Sequence, residues 1–297
     1  MKQGDLVVRK SYGGDVLFRI EQLFHRHAVL KGVQYRLLAD APLEDLNRLN
    51  HPEQYPKWTE TRSMAAEKTR TVEKYCKRVR TKQSERKAMR NGVSPPFFEM
   101  PGKVLHIDGD QDYLRKSMSL YHRFRIPAQG FFIRELHMPD LLMRLLPQVK
   151  PDIVVITGHD GVLKHRSGSE LFQLSSYKNS IHFVNAVHVA RQFERDRDSL
   201  TVIAGACQSH FEALLQAGAN FASSPARILI HALDPVLIAI KSSLTPIRET
   251  INVSDVIRHT ISGMEGIGGI ETQGCYRIGM PNLHKFLSTG PDTPEET

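Results

Sequence analysis

Cysteine is scarce in this chain of 297 residues: Cys76, Cys207 and Cys275 stand far apart, with no CxxC pair. That excludes a disulfide-knit scaffold and a cysteine-rich zinc site, and neither a metal nor an organic cofactor is expected. Long apolar runs are also missing: no stretch of about 18 apolar residues occurs, so no membrane-spanning helix is expected. The opening Met1-Lys2-Gln3-Gly4-Asp5 lacks the apolar core of a secretory signal, and Sec export is not expected. What is present is ordinary for a folded protein. With 40% hydrophobic and 24% charged residues, the composition excludes collagen-like and disordered classes, and the length supports one large domain plus a small one.

The net charge of +8 has a local origin. Residues 62–90 carry 11 basic and 3 acidic side chains, leaving the rest balanced at 29 against 29. This segment has no Gly or Pro and is rich in helix formers, so it reads as an exposed helix or partly helical linker. A basic patch for nucleic acid or an acidic protein is the other reading.

Short alternating apolar runs and the Gly13-Gly14-Asp15 hairpin signal over residues 5–38 predict a small β-barrel of the SH3-like kind. The predicted organisation is a β domain at 1–58, a basic helical linker at 59–100 and an α/β domain at 101–297. Ser94-Pro95-Pro96 and Pro101-Gly102 punctuate the entry to the last. There, strands at 104–108, 130–134, 152–157, 200–204 and about 227–232 alternate with helices at 111–124, 139–148, 179–195 and 208–217. That alternation predicts a mostly parallel sheet with helices on both faces, whose functional groups gather at the C-terminal strand ends.

Those ends carry chemistry. The first predicted strand runs into Asp108-Gly109-Asp110, the third into Gly158-His159-Asp160-Gly161 and the fourth into Gly205-Ala206-Cys207. An imidazole can take the proton of a thiol or stabilise its thiolate. The helix predicted to start at Gln208 would aim its positive end at the Cys207 sulfur and lower its pKa. Amides at Gly158, Gly161 and Cys207 are candidates for an oxyanion hole. Asp160 would either orient His159 or lie at the surface. Asp108 and Asp110 at the first strand end, and Asp160, are candidates to bind a basic group of a substrate; alternatively Asp108 caps the next helix or closes a turn. Asp234 and Glu271 are weaker acidic candidates. The six glycines between Gly263 and Gly279 lack the spacing of a phosphate loop and predict tight turns or a substrate-flanking loop.

An apolar strand followed by His, and a second followed by Ala-Cys 48 residues later, resemble caspase-like cysteine peptidases. One departure is Asp160 between His159 and Gly161. The resemblance also implies that the end of the first strand lines the primary pocket, where Asp108 and Asp110 would favour Arg or Lys before the scissile bond. The segments GDLVVRKSYGGDVLFRI, VLHIDGD, VVITGHDG, AGACQS and GMEGIGGIETQGCYRIGMP resemble, over essentially the full length, the YabG family of sporulation proteases of endospore-forming bacteria. That resemblance implies a peptidase made in the mother cell that trims spore-coat proteins, and it carries His159 and Cys207 as the catalytic pair. Two other readings stand beside it. In one, the barrel and residues 62–90 bind nucleic acid or an assembling coat layer without catalysis. In the other, Asp108 and Asp110 form a Mg²⁺-dependent phosphoryl-transfer site.

Overall fold

The structure, a computed structural model, describes residues 1–51, 53, 55–88, 98–164 and 166–279. The Ser94-Pro95-Pro96 punctuation and the chain beyond Gly279 lie outside them.

The first five strands, β1 (Leu6–Arg9), β2 (Phe18–Leu23), β3 (His27–Gly32), β4 (Leu38–Pro42) and β5 (Leu46–Arg48), pair antiparallel in the order β4-β3-β2-β1-β5. Alternate residues (Phe18 and Ile20 on β2, Ala28 and Leu30 on β3) point into one small core, the period-2 pattern of a sheet buried on one face.

Helix α1 (Pro56–Ala88) follows, with its Pro in the first turn where a missing N–H costs nothing. It is more than a spacer. Val72 and Cys76 are buried, the Tyr75 hydroxyl is 2.9 Å from Thr245 Oγ1, and Lys68 donates to the Arg258 carbonyl at 2.6 Å. The sparse apolar residues of the basic segment therefore seat one stripe of it on the α/β body.

After β6 (Phe98–Met100) the chain alternates β7 (Val104–Asp108), α2 (Gln111–Arg123), β8 (Ala128–Phe132), α3 (Met138–Val149), β9 (Ile153–Thr157), α4 (Ser180–Phe193), β10 (Thr201–Ala204), α5 (Phe211–Ala217) and β11 (Phe221–Ser223). Helix α6 (Asp234–Leu244), β12 (Thr250–Ile251), α7 (Val253–His259), α8 (Gly263–Gly266), β13 (Ile267–Gly269), β14 (Thr272–Gln273) and β15 (Arg277–Gly279) complete it. The main sheet has the order β13-β11-β10-β9-β7-β8 and is parallel except for β13. Strands β7, β9 and β10 are buried throughout, as expected where helices cover both faces. One face packs on α6, α2 and α1, the other on α3, α4 and α5.

Two expectations need correction. The fifth parallel strand is Phe221–Ser223, not residues 227–232; the latter form a connection that makes only an isolated bridge, His231 with Tyr35. Its apolar residues are satisfied by other partners, Ile230 near Cys207 and Leu229 against the N-terminal core. Second, helix α6 went unpredicted because all its residues are buried, so it has no polar face to mark a helical period. Of the glycine-rich tail, Gly268 and Gly269 belong to edge strand β13, where a Cβ at Gly269 would come within 2.4 Å of the Asn220 carbonyl oxygen.

Asp234, at the start of α6, is fully buried and accepts from the Ile261 and Ser262 amides at 2.6 and 3.1 Å. Burial pushes its carboxyl up to about 6. A carboxyl raised on folding binds its proton more tightly in the native state, so its contribution is fully present below the ordinary value near 4 and is lost as pH rises through about 6. Asp234→Asn is expected to remove that component. Because Asn resembles the protonated carboxyl, the urea midpoint of the wild type should fall relative to that of Asp234→Asn as pH rises from about 4 to about 7; parallel curves would refute the assignment.

Candidate active site

The parallel pairing of β9 with β10 aligns Ile156 with Ala204. His159 and Cys207 each stand three residues beyond these partners, so both emerge at the same edge from adjacent strands. On the other side of β9, Asp108 of β7 is opposite Thr157, and the first candidate carboxylate joins the same edge.

Asp160 ties the two loops together. Its carboxylate accepts from the Gly161 amide at 2.9 Å, the Asn179 amide at 2.8 Å, the Ser209 hydroxyl at 2.9 Å and the Ser180 hydroxyl. Ser209 Oγ in turn accepts from the Ala206 amide at 2.8 Å. The histidine loop, the cysteine loop and the start of α4 thus converge on one buried carboxylate. All four of these bonds engage Asp160 inside the protein, with donors from both flanking loops and from α4. The Gly161 amide is engaged by Asp160 and is not free to bind an oxyanion in this arrangement. Gly158 serves a close approach: a Cβ there would come within 2.6 Å of Glu135 Oε1.

His159 lies between two carboxylates. Its backbone N–H donates to Glu135 Oε1 at 2.7 Å; its Nδ1 is 3.6 Å from the same oxygen and its Nε2 3.4 Å from Asp110 Oδ2. Neither ring distance is a full hydrogen bond, and Nε2 is buried without a hydrogen-bond partner. A ring so placed keeps a buried nitrogen for a further partner. Beside it opens a cleft of about 820 Å³ between β2, β3 and the α/β body, lined by Asp110, Arg134, Glu135, His159 and Lys178 among others.

Cys207 is wholly buried. Its Sγ accepts from the Ile230 amide at 3.3 Å and is 3.5 Å from the Ile230 carbonyl oxygen. The next residue, Gln208, has φ +54°, an uncommon conformation for a residue with a side chain, and Gly205 has φ +111°, which calls for glycine. Cys207 sits in the sharp turn between them, with its sulfur against Ile230. The expectation of an N-terminal helix dipole on the sulfur fails: α5 begins at Phe211, with His210 as its cap. Burial instead pushes the thiol up to about 11.

The two acids at the end of β7 are divided in role. Asp108 Oδ1 accepts from the Asp110 amide at 2.9 Å, closing the turn. Asp110 is the cap of α2, accepting from Asp112 and Tyr113 amides at 2.8 and 3.0 Å. Each also holds a basic group from the N-terminal sheet. Arg36 Nη1 pairs with Asp108 Oδ2 where both side chains are fully buried, and Lys31 Nζ is 2.8 Å from Asp110 Oδ2. Below Asp108 lies His106, with Nε2 2.9 Å from Thr157 Oγ1 and Nδ1 3.1 Å from the Tyr121 hydroxyl. Burial alone would raise the Asp108 carboxyl; the Arg36 guanidinium and the His106 contact outweigh it and hold the carboxyl down at about 2.

A family model described as YabG peptidase U57 matches residues 2–281. The chain belongs to the YabG peptidase family U57. The sporulation-specific protease YabG of Bacillus subtilis (strain 168) is similar to it, 44% identical over 283 residues that make up 94% of this chain and 97% of that protein. No solved structure matches it. The chain is thus a peptidase of a sporulation protease family. Among the described residues no helix is long and apolar enough to cross a membrane, and no group of three or more His, Cys, Asp or Glu is arranged to hold a metal ion.

The aligned ends of β7, β9 and β10 place Asp108, Asp110, His159, Asp160 and Cys207 in loops at one edge of the sheet, whereas Asp234 and Glu271 serve elsewhere: Glu271 accepts from the Asn252 side chain at 2.7 Å. Sequence reasoning missed Glu135 and Arg36. An acidic residue just past the β8 segment was the available signal for Glu135. Nothing local marks Arg36, whose partner stands 72 residues away.

Proposed function

We propose that this YabG-family peptidase is a cysteine endopeptidase that cleaves spore-coat proteins after Arg or Lys during sporulation, its α/β domain being of the caspase-like kind and its N-terminal sheet an SH3-like barrel. The observation that carries the reading is the emergence of His159 and Cys207 from the aligned ends of adjacent parallel strands, their loops joined through Asp160.

In this mechanism His159 takes the thiol proton and the Cys207 sulfur adds to the peptide carbonyl carbon. The tetrahedral intermediate collapses with cleavage of the C–N bond, and His159 returns the proton to the departing amine. Water, deprotonated by the same imidazole, then hydrolyses the thioester, restoring the thiol and releasing the carboxylate. Glu135 and Asp110 support the imidazolium that forms between these steps. The carboxylate of Asp108 supports a preference for a guanidinium or ammonium group, because a buried anion without a cation is costly.

Mapping the N-termini of coat-protein fragments from sporulating cells expressing the chain or its Cys207→Ala variant tests the reading. New termini preceded by Arg or Lys are expected with the wild type alone. The same fragments in both would overturn cysteine catalysis in favour of a binding role for the N-terminal sheet and residues 62–90.

A further inference from the structure

We infer that the loop at residues 33–37 of the N-terminal sheet sits in the active-site cleft as an internal, substrate-like occupant, with Arg36 in the primary specificity pocket, and that it holds the enzyme closed until it is withdrawn. The inference rests on the peptidase reading above and names the group its pocket is built to take.

Three features place the loop as a substrate would lie. First, Arg36 is fully buried although it belongs to a surface loop; its Nη1 meets Asp108, and its Nη2 donates to the Ala232 carbonyl at 3.2 Å. Second, the loop backbone runs antiparallel to the connection that follows Cys207's neighbour Ile230. Tyr35 bridges His231, and the Ala232 amide donates to the Gln34 carbonyl at 2.9 Å, the main-chain mode by which extended peptides add to an edge. Third, Arg36 acts on the buried Cys207 thiol through both its guanidinium and its backbone amide, each opposing the upward push of burial, and the connection that its loop pairs with carries Ile230, the residue against the sulfur. The residue whose side chain meets Asp108 thus belongs to a stretch of main chain paired with the segment beside the nucleophile. That is the place of the residue preceding a scissile bond.

The loop is held by anchors outside the pocket as well. The Tyr113 hydroxyl shares its one proton between the carbonyls of Gly32 and Tyr35, Lys116 donates to the Val33 carbonyl at 3.1 Å, and Lys31 bridges Asp110 and Asp112 at 2.8 and 2.7 Å. Gly32 permits the tight turn, since a Cβ there would come within 2.4 Å of the Tyr35 carbonyl oxygen. The hold is suited to release. A buried ion pair is a weak net stabiliser because desolvation offsets its attraction, the Nε of Arg36 has no hydrogen-bond partner, and the lysine pairs reach the rim. An arginyl side chain of a protein substrate presents the same guanidinium and can replace Arg36 at Asp108.

The test uses the full-length chain and three readouts: hydrolysis of a short peptide amide with Arg before the scissile bond, the rate of Cys207 alkylation by iodoacetamide, and thermal stabilisation by agmatine, a small guanidinium compound. Arg36→Ala is expected to raise kcat/KM and alkylation each by about tenfold or more, because an enzyme that is mostly closed loses apparent affinity in proportion to its open fraction. Agmatine is expected to stabilise Arg36→Ala and not the wild type. Should Arg36→Ala fail to fold, the Lys31→Ala/Lys116→Ala double variant, which leaves Asp108 and Arg36 in place, is expected to show the same two increases at smaller size. Faster alkylation with no hydrolysis by any variant would uphold the occupied pocket and sink the peptidase reading. Wild-type hydrolysis and alkylation matched by the folded variants, with no agmatine effect, would overturn the inference and leave the peptidase reading standing.

Discussion

His159→Ala is expected to lower kcat/KM on an arginyl peptide by about 10²–10⁴-fold, the range spanned by loss of a positioned general acid–base, while leaving the fold intact. The ring makes no full hydrogen bond at either nitrogen, so its removal strands little. Its backbone bond to Glu135 survives the substitution. Circular dichroism and the urea midpoint should therefore stay near wild type while turnover collapses. The partner Glu135→Gln should cost less, because it keeps an oxygen for the His159 amide and removes only a charge facing the imidazole. A His159→Ala protein that cleaves within a few-fold of wild type would remove the imidazole from the mechanism.

Asp160→Ala is expected to cost about 3–5 kcal/mol, the largest stability effect among the loop residues. Its carboxylate serves two backbone amides and two hydroxyls drawn from three segments. Deleting it leaves those donors buried and unpaired, at roughly 1–3 kcal/mol for each that finds no water. Activity should fall with stability, since the His159 and Cys207 loops lose their shared tether. Asp160→Asn retains the shape and an acceptor, and should recover part of both. Urea unfolding measures the first quantity and peptide turnover well below the melting temperature the second. A midpoint within experimental error of wild type would show that the tether does not hold the loops.

The division between these two residues shows where local pattern stops being informative. His159 and Asp160 are adjacent, both acid–base groups, both past the same strand. Only the contacts of the folded chain separate them: the imidazole faces a cleft, and the carboxylate turns inward to Ser180 and Ser209. The same holds for Asp108 and Asp110. Their position at a strand end, and a turn closed by Asp108, were readable, but the pairing of Asp108 with a buried guanidinium and the capping of the helix by Asp110 instead were not. The helix expected at Gln208 began three residues later because Cys207 and Gln208 occupy a sharp turn whose backbone conformation no composition rule announces.

By itself the sequence determined the alternation of apolar strands and amphipathic helices in residues 104–217, the strand ends where His159 and Cys207 stand, and the absence of a disulfide framework. These follow from period, turn residues and residue counts, all of which act within a few positions along the chain. Only the tertiary structure decided that the thiol is sealed, that Arg36 lies against Asp108, and that Asp160 joins two loops. Each depends on groups between 20 and 72 residues apart, brought together by packing of whole elements. At such separations desolvation and charge pairing, rather than local propensity, set what a side chain does.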